Sequence, residues 1–84
     1  MNEAPNLDAM THDELMTFWH KHQNGRANLF TGKGSRTATN DLSCYASNKA
    51  TAMSCRLRGD IQTAQMYEGI CDRIYGRLPE FARW

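Results

Sequence analysis

The chain has 84 residues, of which 40% are hydrophobic, 10% aromatic and 23% charged, and its formal net charge is +1. That length holds one domain, and a domain of this size buries only about 60–65% of the surface its unfolded chain exposes, so the core is thin. No stretch is apolar enough to span a membrane, no basic segment leads into an apolar one at the N-terminus, and the three cysteines include no C-x-x-C pair, so a cytoplasmic protein without a disulfide framework or zinc ribbon is expected.

Residues 1–10 are polar, contain Pro5 and show no apolar period, so a flexible N-terminal arm is expected ahead of a single helical domain over 11–84. A first helix is predicted over about 12–23. Thr11 and Glu14 form a T-x-x-E capping box, and Met10 with Leu15 fits a hydrophobic staple,. Leu15, Phe18, Trp19 and His22 then fall on one helical face, and Asn24-Gly25 supplies a left-handed exit,. Residues 25–35 read as a loop anchored by Leu29-Phe30, with Gly32-Lys33-Gly34 as its flexible tip.

A second helix is predicted over 35–58, with Ala38, Leu42, Ala46, Ala50, Met53 and Leu57 on one apolar stripe that Tyr45 and Ala52 widen,. Gly59 stops it and Asp60 caps the next, so the third helix, 61–78, must fold back antiparallel,. Its buried stripe is Ala64, Tyr67, Cys71, Ile74 and Leu78, flanked by Ile70 and Tyr75, and Pro79 ends it,. Phe81 and Trp84 are placed to close the end of the core. The expected fold is all-α, three helices dominated by an antiparallel αα-hairpin.

The motifs that could carry chemistry give way one by one. Thr31-Gly32-Lys33-Gly34-Ser35-Arg36 has the glycines and cations of an anion loop, but Ala27 replaces the first glycine of a P-loop and Gly34 its Ser/Thr,. His20 and His22 are two apart and point to opposite sides of a helix, so no metal is expected. Cys71 lies on a buried stripe, and no histidine is fixed near Cys44 or Cys55. No cofactor, small-molecule substrate or catalytic group is therefore expected, and the chain is not read as an enzyme.

Surface composition says more. The outer face of the second helix, including Cys44, Ser47, Asn48, Thr51 and Cys55, is nearly all small and uncharged, where a solvated face usually carries Lys and Glu,. Either another part of the chain covers it or a partner does. Gly69 and Gly76, seven apart on the third helix, lie away from its apolar stripe, and each costs about 1 kcal/mol against Ala. The leading expectation is a small helical macromolecular-interaction protein using these seven residues, with a protein partner or a second copy of itself. The alternative is nucleic-acid binding to phosphates through Arg26, Lys33, Arg36, Lys49, Arg56 and Arg58, in a middle segment where Asp41 is the only acid,.

Two resemblances accompany these readings. Gly59-Asp60 at the turn, Ala64, Tyr67 and Pro79 make the hairpin resemble one tetratricopeptide repeat. Tyr67 stands one position early, however, and one repeat is present where stacking needs about three, so the likeness implies only an αα-hairpin. The segments Asn48-Lys49-Ala50-Thr51-Ala52-Met53, Gly59-Asp60-Ile61, Ile70-Cys71-Asp72-Arg73-Ile74-Tyr75 and Leu78-Pro79-Glu80-Phe81-Ala82-Arg83-Trp84 resemble short helical proteins encoded by bacteriophages. That resemblance implies a host-cytoplasm setting and no assigned activity.

Overall fold

The computed structural model describes residues 4–23 and 29–84. Three helices, α1 (His12–His22), α2 (Ser35–Leu57) and α3 (Ile61–Arg77), are flanked by short 3₁₀ turns at Leu7–Ala9 and Glu80–Ala82, and no strand occurs among the described residues. The fold is all-α. Each helix ends one residue before its expected limit, because Gln23, Arg58 and Leu78 act as C-caps,. The expected exit at Asn24-Gly25, like Arg26, lies outside the described residues.

Local signals account for the helix starts. Glu14 N donates to Thr11 Oγ1 at 3.2 Å and Thr11 N donates to Glu14 Oε1 at 2.9 Å, so both halves of the capping box form,. Asp60 accepts from Thr63 N at 3.2 Å and opens α3. Between α2 and α3 only a tight turn intervenes, and it passes through Gly59 at φ +82°. That is a conformation other residues adopt only with strain.

α2 is the central element, and both other helices run antiparallel to it. Against α3, Arg56 pairs with Glu68, Tyr45 O accepts from the Cys71 thiol at 3.8 Å, and Asp41 meets Arg77 at 3.5 Å. Against α1, Ser54 Oγ lies 2.8 Å from His12 Nε2, while Ser43 Oγ donates to His22 O at 2.7 Å. The core between them holds Leu15, Phe18, Leu42, Tyr45, Cys71, Ile74 and Leu78, together with the alanines Ala38, Ala46 and Ala50 that let the helices approach,.

Two expectations are corrected here. The arm is not loose over residues 4–10: Leu7 is fully buried in the core and Asp8 is held from three sides. Met1 to Glu3 lie outside the described residues. Leu57, expected on the buried stripe of α2, is 83% exposed. The reason is length: α1 begins at His12, level with Ser54, so the last turn of α2 extends past its cover.

The chain end closes the structure as its aromatics suggested, with different residues inside. Ala82 is buried and Trp84 half-buried, and Trp84 stacks edge-on against Tyr45 and Tyr75 at 5.0 and 4.6 Å,. Phe81 stays 42% exposed and meets Phe30 edge-on at 5.3 Å. Among the described residues, no helix is long and apolar enough to cross a membrane.

Candidate functional site

The small-polar face of α2 divides into a covered and an open part. Ser43 and Ser54 lie under α1 and bond to it, so their size serves close helix packing. Cys44 and Thr51 flank that seam, each lining a pocket with α1 residues, and Ser47 and Asn48 complete the face. Cys44 is exposed, the other three are half-buried, and two of them satisfy themselves locally. Asn48 Nδ2 donates to Cys44 O at 2.9 Å and Thr51 Oγ1 to Ser47 O at 3.0 Å,. Cys55 does not belong to an exposed face: it is 2% exposed, next to the turn, with the Arg58 guanidinium 3.4 Å from its sulfur.

Gly69 is half-buried and Gly76 exposed. A Cβ built on either meets nothing within 4 Å among the described residues. Arg83 reaches this side, donating to Gly76 O at 3.1 Å.

The basic residues of the middle segment are not gathered into one patch. Lys33 and Arg36 are exposed at the start of α2, Arg56 and Arg58 at its end, about 30 Å away along the helix,. Lys49 is paired with Asp8 at 3.1 Å, and Arg56 holds Glu68 by two bonds, one of 2.8 Å. That pairing holds the Glu68 carboxyl below its ordinary range and raises the Arg56 guanidinium. Arg58 differs: among the described residues it has no carboxylate partner within 4 Å.

A polar cluster absent from the sequence reading forms where the two chain ends meet. Asp8 accepts from Tyr45 OH at 2.6 Å and from Trp84 Nε1 at 3.1 Å, beside the Lys49 ammonium. Burial raises the Asp8 carboxyl, but the hydrogen bonds from Tyr45, Trp84 and Lys49 together outweigh it and hold the group below its ordinary value,. Burial first, and then the Asp8 charge, push the Tyr45 hydroxyl upward. Tyr75 OH completes the clasp by donating to Trp84 O at 2.8 Å. Asp8 and Trp84 are 76 positions apart, so no local pattern announces the contact.

The thiols differ in what they can do. All three are free. Burial pushes Cys71 up to about 11, which keeps it a neutral packing group,. No group of three metal-ligating side chains assembles among the described residues.

Exposed large apolar side chains among the described residues are Leu57, Ile61, Met66 and Phe81, and two of them flank the tip of the hairpin. Leu57 is 83% exposed and Ile61 43% exposed, on either side of the Arg58–Asp60 turn. A separate groove of about 450 Å³ runs along α1, with Pro5, Met10, Thr17, Phe18 and Leu29 among its walls. No family model matches the chain, and comparison with curated proteins and with solved structures finds no match either.

Proposed function

We propose that the chain is a small helical macromolecular-interaction protein whose contact surface is the tip of the α2–α3 hairpin, and that self-association is one form of this interaction. The supporting observation is the pair Leu57 and Ile61, both exposed around the turn where α1 no longer covers α2. Leu57 continues the Ala46–Ala50–Met53 stripe by one turn, so the apolar band of the hairpin runs out from the core into solvent. Exposed apolar surface continuous with a core favours burial against a partner, at about 25 cal/mol per Å² removed from water. Cys44 and Gly76 lie about 20 Å from that tip along their helices and fall outside such a contact,.

Light scattering after size-exclusion chromatography, over a rising concentration series, tests this directly. The wild-type mass should climb above that of a monomer, and a Leu57→Asp, Ile61→Asp variant of unchanged helicity should stay monomeric. A wild-type chain that remains monomeric throughout removes self-association. Equal association by the variant removes this surface. Among the described residues the nucleic-acid alternative gains no support, since Lys49 and Arg56 are paired with carboxylates and Lys33 and Arg36 lie about 30 Å from Arg58 along α2,.

A further inference from the structure

We propose that the cavity between the start of α1 and the last turns of α2 binds a small organic phosphomonoester. The cavity measures about 370 Å³, and His12, Met16, Ala50, Thr51, Ser54 and Arg58 line it. Its polar groups come from two helices and are 42 positions apart in the case of His12 and Ser54. The site therefore exists only in the folded chain.

Arg58 is the cation of this cavity. Lys49 and Arg56, also on α2, are both spent on carboxylates. Among the described residues Arg58 is not, and its guanidinium reaches the Cys55 sulfur at 3.4 Å, a weak acceptor,. A guanidinium facing a cavity without an anion is matched to phosphate, whose oxygens accept its planar fork of N–H groups. Beside it, Ser54 Oγ lies 2.8 Å from His12 Nε2. In the tautomer that carries the proton on Nε2, the ring donates to that oxygen and Ser54 keeps its own O–H to donate into the cavity,. Asp13 stands at 3.8 Å from Nδ1, on the other edge of the imidazole, and its side chain is fully exposed. The positive end of the α1 dipole adds potential of the same sign.

Two walls set the rest of the ligand. Thr51 gives its hydroxyl hydrogen to Ser47 O and so forms a boundary with no free donor. Met16 and Ala50 are apolar, and they provide contact for a small hydrocarbon group carried on the phosphate,. A bare phosphate would leave that wall unused.

The test is an NMR titration at low ionic strength with phenyl phosphate in one arm and inorganic phosphate in the other. Phenyl phosphate should give saturable shifts centred on His12, Ser54 and Arg58, with inorganic phosphate weaker at the same residues. Arg58→Gln, judged folded by an unchanged spectrum elsewhere, should weaken phenyl phosphate about tenfold or more, the loss expected for a charged hydrogen bond. Arg73→Gln, far from the cavity on exposed α3 surface, should titrate like wild type. Shifts that rise linearly and spread over all basic residues would overturn the site, as would wild-type affinity in Arg58→Gln. Equal affinity for the two probes would overturn the phosphomonoester in favour of free phosphate.

Discussion

Asp8 shows how much one side chain can organise in a thin core. It is half-exposed, yet it takes bonds from Tyr45 and Trp84 and the Lys49 charge, so it ties the arm to α2 and to the chain end. Replacing it with Asn should cost about 1 kcal/mol, a figure reduced for solvent screening. In a domain of this size that lowers the midpoint of thermal unfolding by about 4–8 °C. The pH dependence follows from the direction of the shift. The folded carboxyl titrates below the unfolded one, so its stabilisation stands in full above the unfolded value of about 3.9 and drains away as pH falls through the folded value,. Glu14 and Glu68 are shifted the same way, by the Thr11 cap and by Arg56. Denaturant melts at a series of acid pH values should show the wild-type advantage over Asp8→Asn closing in that range. The contact was illegible beforehand because an aspartate in a polar arm, next to Pro5 and Asn6, has no local feature that sets it apart.

At the scale of the element, glycines with different roles predict opposite signs. Gly59 turns the hairpin at φ +82°, and an added Cβ meets nothing there, so Gly59→Ala should lose about 1–2 kcal/mol through backbone conformation alone,. Gly69 lies inside α3 with open space around it, so Gly69→Ala should gain up to about 1 kcal/mol,. Chemical denaturation of both variants checks the pair. The α2 stripe invites a similar contrast. Leu42→Ala should cost about 2–5 kcal/mol, because Leu42 is fully buried,. Leu57→Ala should stay within about 0.5 kcal/mol, because Leu57 contributes little to the core,. Helix limits and the capping box were legible in the sequence, since their causes are local. The burial of Leu57 and Cys55 was misjudged because periodicity fixes a direction around an axis, and says nothing about where a neighbouring helix begins.

Across the whole molecule, α2 is a central rod with α1 along one side and α3 along the other. The hairpin was legible, because Gly59-Asp60 leaves no room for any other path. The seat of α1 was not, since the segment joining it to α2 leaves its direction free and the small residues of α2 suit any neighbour. That seat decides both functional readings: it brings His12 to Ser54, and it leaves the tip at Leu57 bare. The most direct measurement is a solution NMR experiment with isotope-labelled protein and a soluble paramagnetic agent. It should find close contact between the His12 ring and Ser54, and strong relaxation of the Leu57 methyls beside unaffected Leu42 methyls. A Leu57 shielded like Leu42 in dilute monomer, or a His12 ring contacting α3 in place of Ser54, would contradict it.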